Sequence, residues 1–332
     1  MSKNLIGIEI GSSRMKLAEV RDGKVIHFIT YDLPEGTMRG REILAWDALA
    51  DELKKAVAAG GFTSKKCAIA IPDEETHLRR LSMPPMNDQQ LLVNLPYEYH
   101  ELIADNKDNY IYDYSLINIK RDPENQNNNT NALEIEILGA AVSKELISKY
   151  KDLFKRAGLK LVAARPRTLA LSSYMKAKIP EFMTKDTAVI DFGYTASQID
   201  IFRNGVYEVT RTIDVGVAAI IKAAAEALNK DPHIAKESLK VNTDDVQMKE
   251  SVINVYDSVA VEVMRALNYF SFENPENTLE TLYYFGGGSW IQPFVIDVVQ
   301  DLSLKATALS AYDQENKNAV IDGATAIGLC LG

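Results

Sequence analysis

Long apolar runs are missing from this chain. Nowhere do about 18 apolar residues follow one another, the length a helix needs to cross a bilayer, so no membrane span is expected. No secretion signal is visible either, because the first apolar stretch, LIGIEIG, is interrupted by Glu9 and reads on into strand-like sequence. Cysteine is scarce. Cys67 and Cys330 both lie in apolar surroundings, and two buried free thiols in a reducing compartment are expected rather than a disulfide framework. Only four histidines occur, His27, His77, His100 and His233, scattered without metal-ligand spacing. Walker A loop, GxSxG elbow and CxxC pair are all absent. Positive charge is in deficit too. A net charge of -9 sets the chain against nucleic acid or anionic lipid as a general partner. The sequence ends at Gly332 without a basic amphipathic tail, so a cytoplasmic protein is expected, reaching a membrane only through a partner.

What is present is an ordinary globular composition, 46% hydrophobic and 25% charged over 332 residues, enough for two or three domains with their own cores. An internal repeat organises it. Residues 4–33 read as strand NLIGIEIG, a polar turn, strand MKLAEVRDG, a turn and strand KVIHFITYDL. Residues 186–215 read as strand DTAVIDFG, a turn, strand SQIDIFRNG, a turn and strand VYEVTRTIDV. In each copy an acid ends the first strand (Glu9, Asp191) and a glycine follows two positions later (Gly11, Gly193). Asp22-Gly23 and Asn204-Gly205 then fall at equal distances, and both dipeptides suit the left-handed turns of tight hairpins. Helix-patterned sequence follows each copy, so a duplicated three-strand-plus-helix unit is expected.

Residues 82–162 differ in character and read as a small α+β insertion. It comprises a helix from Asn87 to Ile103 broken or kinked at Pro96, two strands around the polar tract DPENQNNNTN, and the helix KELISKYKDLFKRAG. The polar tract reads as a hairpin tip. Residues 217–282 are mostly helical. Asp231-Pro232 marks a helix start, and a long helix over about 245–273 buries Val252, Val255, Tyr256, Val259, Val263, Leu267 and Phe270. Strand TLYYF, a helix, a short strand and a final helix from about Ile321 close the chain.

The hairpin loops carry the chemistry. In GSSRMK, Gly11 admits close backbone approach, Ser12 and Ser13 add donors, and Lys16 reaches back as the loop's cation, which makes a phosphate cradle. Gly193, Thr195 and Ser197 offer a similar set. Two such cradles, each with a carboxylate at its strand end, would clamp a polyphosphate and hold a hydrated Mg²⁺ through Glu9 and Asp191. Gly286-Gly287-Gly288-Ser289, after strand LYYF, would let a ring or ribose approach the backbone.

GIEIGSSRMKLAEV, VIDFGYTAS and YYFGGGS together resemble the two phosphate loops and the adenosine motif of the actin-like superfamily. Their form, with AIAIPDEETHLRRLSMPPM and VEVMRALNYF, is similar to the PilM family of type IV pilus assembly proteins nearly end to end. The resemblance implies an α/β fold of two duplicated actin-like (ribonuclease H-like) domains with an insertion of the FtsA type. Domain 1 would comprise residues 1–81 and 163–185 around the insertion. Domain 2 would comprise 186–216 and 283–332, with a helical subdomain at 217–282. It implies ATP with Mg²⁺ as cofactor, with Glu237, Lys240 and Gly216 near the nucleotide. As partners it implies the N-terminal peptide of a PilN-like membrane protein and other pilus assembly proteins including a motor ATPase, with self-association open. The chain would then sit at the inner face of the cell membrane as a scaffold. Residues 83–103, rich in Met, Leu and Tyr, offer a receiving surface.

Three departures bear on chemistry. Glu9 stands where the superfamily has Asp, Arg165 and Arg167 replace two acids, and Gly216-Val217 replaces a Gly-Gly pair. Slow or absent hydrolysis is therefore expected. An FtsA-like filament former and a sugar kinase are the competing readings; the first normally has a C-terminal membrane helix, and the second needs a general base that residues 165–167 do not offer.

Overall fold

The computed structural model describes residues 4–103, 106–121 and 132–332. The Asp122–Asn131 tract, expected as a hairpin tip, lies outside the described residues. Strand β1 (Ile6–Ile10) turns into β2 (Arg14–Arg21) and then β3 (Lys24–Asp32). A short pair, β4 (Met38–Arg39) and β5 (Glu42–Ile43), precedes α1 (Trp46–Ala59) and β6 (Lys66–Ile71). Next come β7 (Thr76–Met83), α2 (Asp88–Glu98), β8 (Tyr110–Arg121) and β9 (Ala132–Ser143), then α3 (Lys144–Arg156) and β10 (Lys160–Pro166). Helix α4 (Arg167–Lys178) leads to the second hairpin pair, β11 (Thr187–Phe192), β12 (Ser197–Arg203) and β13 (Val206–Ile213). Helices α5 (Val217–Leu228), α6 (Pro232–Val241) and α7 (Glu250–Glu273) follow. Strand β14 (Thr281–Phe285), α8 (Gln292–Gln300), β15 (Lys305–Ala308) and α9 (Lys317–Leu331) complete the chain.

The two large sheets repeat one topology. Their orders are β10-β6-β1-β2-β3 and β13-β12-β11-β14-β15. In each, three antiparallel strands continue into two parallel ones. The match extends to register, Glu9 lying opposite Lys16 and Asp191 opposite Gln198. Even the bulges correspond, between Glu19 and Val20 in β2 and between Ile201 and Phe202 in β12. Asp22-Gly23 and Asn204-Gly205 all have positive φ, as tight hairpins require.

Three cores hold the halves. Ile6, Ile8, Met15 and Leu17 pack with Leu49 and Leu53 of α1 and with Ile147, Tyr150, Leu153 and Phe154 of α3. Ile190 and Ile199 pack with α5, Val259 and Val263 of α7, and Phe294 of α8. Between the halves, Leu171 and Tyr174 of α4 and Val320 and Ile327 of α9 bury Ala18 and Val20 from one sheet with Val189, Phe202 and Tyr283 from the other. This shared core joins the halves along α4 and α9.

The third sheet, β7-β9-β8, has its own core of Leu81, Met83, Ile135 and Ile137 under Leu91, Leu95 and Tyr99. A capping box starts α2: Gln90 N–H donates to the Asn87 side chain, and Asn87 N–H donates to that of Gln90, both at 3.0 Å. The helix stops at Glu98, two residues past Pro96, and turns held by the Tyr99 carbonyl carry the chain to Ile103. Helix α3 packs with the first sheet, each of its four buried side chains contributing about 1.5–3 kcal/mol. Helix α3 therefore shares the core of the first sheet, whereas β7, β8, β9 and α2 share their own.

Helix α7 begins at Glu250 rather than near 245, because Asn242, Asp244 and Asp245 sit in left-handed conformations that end regular helix. Its expected stripe is buried, Val255 only partly. The last helix starts four residues earlier than expected, at Lys317. Both cysteines are free thiols.

Candidate functional site

The two hairpin loops meet. Gly11 N–H donates to the Arg14 carbonyl at 2.9 Å to close the first loop, and Gly193 N–H donates to the Asp191 carbonyl at 3.1 Å in the second. Thr195 Oγ1 then donates to Ser12 Oγ at 3.2 Å, directly across the cleft. Between them opens a cavity lined by Glu9, Gly11, Ser12, Ser13 and Lys16 on one side and Asp191, Gly193 and Thr195 on the other. Gly287 and Lys240 also line it.

The remaining expected residues shape the cavity from behind or stand apart. Ser197 is fully buried and donates to the Val215 carbonyl at 3.0 Å. Gly216 lies under the second loop, where a Cβ would come within 2.6 Å of the Gly193 and Tyr194 oxygens. Those carbonyls accept from Val217 N–H at 3.1 Å and Ala218 N–H at 2.8 Å, so the start of α5 supports the loop. Gly286 has φ of +98°, and a side chain there would collide with the Asp191 carboxylate. Gly288 packs on Phe192, and Ser289 Oγ donates to the Gly286 carbonyl at 2.6 Å. Glu237 is exposed and pairs with Lys240 at 2.7 Å.

Further residues line the cavity, and of the two arginines that read as either ion-paired or phosphate-contacting, Arg167 is one of them. Arg14 gives the first loop a second cation, reaching Asp322 of α9 at 3.5 Å. Asp32, Arg41, Lys236 and Trp290 line the cavity as well. So does Arg167, buried at the start of α4 and ion-paired with Asp73 at 2.8 Å and Asp200 at 2.6 Å. Arg165, half-buried on β10 opposite Ala70, does not line it.

Charge is concentrated here and mostly out of water. Lys16 Nζ donates to Glu9 Oε1 at 2.6 Å. Burial alone would lower the Lys16 pKa, but Glu9, Asp191 and Asp322 together hold it above the ordinary lysine value. Burial pushes Asp191 up to about 6, with Lys16 and Arg167 opposing and Glu9 adding to the rise. Arg41 is lowered, first by burial and then by Arg167.

Two buried polar atoms at this site have no partner, Glu9 Oε2 and Arg167 Nη1. An unmatched acceptor and an unmatched cationic donor beside a glycine-lined loop suit a ligand that brings both positive charge and anionic oxygen. A metal-bound polyphosphate is such a group, and the residues fit it.

Two duplicated three-plus-two-stranded sheets, joined by a shared helical core and facing loops, define an α/β protein of the actin-like fold. A sequence model of the type IV pilus assembly protein PilM matches residues 7–323, and the chain belongs to that family. It is thus an actin-like protein of type IV pilus assembly. Among solved structures, the PilM-PilN type IV pilus biogenesis complex matches with a TM-score of 0.80 at 19% identity, over 100% of this chain and 98% of that one. Ta0583, an archaeal actin homolog, matches with 0.51 at 12% identity, over 99% and 98%. A ROK family glucokinase from Streptomyces griseus, in complex with glucose and AMPPNP, matches with 0.51 at 12% identity, over 98% and 97%. No curated protein matches by sequence.

Proposed function

We propose that this chain is an ATP-binding scaffold of the type IV pilus assembly machine, held at the membrane by a PilN-like partner. The observation that carries the first half is the Ser12–Thr195 contact, which brings two matched phosphate-type loops to one cavity. Ser12, Ser13 and Thr195 would donate to phosphate oxygens, Lys16 and Arg14 would neutralise them, and Glu9 and Asp191 would hold the hydrated Mg²⁺. Val217, Ile221 and Trp290 give apolar surface near Lys236 and Lys240, suited to a base. The glucokinase neighbour's AMPPNP supports this reading.

Hydrolysis is slow or absent in this proposal. Orienting an attacking water takes a polar or acidic group, whereas Arg167 supplies only donors and is already committed to two aspartates. Turnover of about 1–100 per second, usual for kinases, would contradict it.

Among the described residues no helix is long and apolar enough to cross a membrane. The PilM-PilN complex supports a PilN-like partner, and in this proposal that partner's cytoplasmic N-terminal peptide docks on the inserted unit. Met83, Leu91, Leu95 and Tyr99 form its core, while Leu92, Val93, Tyr97 and Leu102 are exposed, with Lys107 Nζ 3.3 Å from the centre of the Tyr97 ring.

Two measurements test the two halves. Ligand at ~100 times its dissociation constant stabilises a fold by about 2.7 kcal/mol, so millimolar Mg-ATP should raise the melting temperature; an unchanged melt refutes the nucleotide half. Calorimetry with the N-terminal peptide of the membrane protein encoded beside this chain should show binding that Leu92→Asp with Tyr97→Ala removes. Full binding by that variant would place the dock elsewhere.

A further inference from the structure

Arg167 is 6% exposed, yet its guanidinium is only partly satisfied. Nε donates to Asp73 Oδ2 at 2.9 Å, and Nη2 donates to both oxygens of Asp200, at 2.8 and 2.6 Å. Nη1 has no hydrogen-bond partner, and the Asp191 carboxylate stands 4.0 Å from it. A purely structural arginine has no reason to leave a buried cationic N–H without an acceptor, since an unsatisfied buried donor is costly. The free nitrogen belongs to a side chain that lines the cleft.

The cleft has two distinguishable ends. Lys240 is exposed and marks the outer one. Arg167, Glu9 and Asp191 are buried and mark the inner one. A nucleotide with its base outward therefore brings the last phosphate of its chain closest to Arg167. Guanidinium nitrogens bind phosphate oxygens by charge-assisted hydrogen bonds. Glu9 and Asp191 face the same point and would repel a bare phosphate, so the match is to a metal-bound one.

We infer that Arg167 distinguishes nucleoside triphosphate from diphosphate, its free Nη1 taking an oxygen that only the triphosphate supplies. The inference rests on the reading of the cleft as a nucleotide site and deepens it. It also gives the distinction a route into the fold. Asp73 follows β6 of the first sheet and Asp200 belongs to β12 of the second, so one side chain touches both halves and the ligand.

Calorimetric titration with Mg-AMPPNP and Mg-ADP tests it, on the unaltered chain, on Arg167→Gln and on the paired variant Arg167→Met with Asp200→Leu. The unaltered chain should bind the triphosphate analogue at least about tenfold more tightly. Both variants should lose the preference, binding Mg-AMPPNP and Mg-ADP within about twofold of each other. If the unaltered chain binds neither nucleotide, the cleft is not a nucleotide site and both readings fall together. If it binds both equally, or the variants keep the preference, the cleft reading stands and this inference is overturned. Should neither variant fold, Arg167→Lys, which keeps a cation between Asp73 and Asp200 but not the fork of donors, should narrow the ratio, and a ratio unchanged from that of the unaltered chain overturns the inference.

Discussion

The two hairpins share a backbone and differ in charge. Where the first has Arg14, Lys16 and Ala18, the second has Ala196, Gln198 and Asp200 at the corresponding places. Ala18 and Asp200 are both fully buried. One is an apolar side chain in the shared core; the other is a carboxylate that accepts from Arg167, Thr168 and Thr210. The two copies share the loop backbone but not the placement of their cations. The first hairpin carries its own, whereas the second borrows Arg167 from the helix that joins the halves.

The largest expected effect breaks that loan. Asp200→Ala should cost about 3–5 kcal/mol in chemical denaturation, because it strands a buried guanidinium. A loss below about 1 kcal/mol would mean that Asp73 alone suffices. The hairpin turns should behave alike instead: Gly23→Ala and Gly205→Ala should each cost about 1–2 kcal/mol for a left-handed residue with a Cβ. The second should cost more, since its Cβ meets Met183 while the first faces open space. Equal stability of both variants with the parent would argue against these turn conformations. Smallest is the contact between the loops. Thr195→Val should lose about 0.5–1.5 kcal/mol, and it should lose less once Ser12 is already alanine, which a double-mutant cycle measures.

Much of this was legible along the chain because it rests on local backbone chemistry. Asp22-Gly23 and Asn204-Gly205 announce their turns, and Glu9 with Gly11 and Asp191 with Gly193 announce matched strand ends. Other features depend on partners distant in sequence. The amphipathic stripe of α3 says that it packs, not on which sheet. Arg167 reads equally as a solvated or ion-paired arginine and as a phosphate contact until Asp73 and Asp200, 94 and 33 residues away, close around it. One signal did point there: Asp200 stands between Ile199 and Ile201 in β12, and a carboxylate in such a place needs a cation. Ser197 and Ser289 mislead in the opposite sense, their hydroxyls being spent on the carbonyls of Val215 and Gly286.

Calorimetric titration of the whole chain with Mg-AMPPNP, beside Lys16→Ala and Gln198→Ala, tests the cleft most directly. One site per chain should appear. Lys16→Ala should weaken it at least about tenfold, or 1.4 kcal/mol, and Gln198→Ala by less than about threefold, because only the first hairpin brings its own cations to the phosphates. No heat and no thermal shift from the unaltered chain, or equal losses from the two variants, would contradict it.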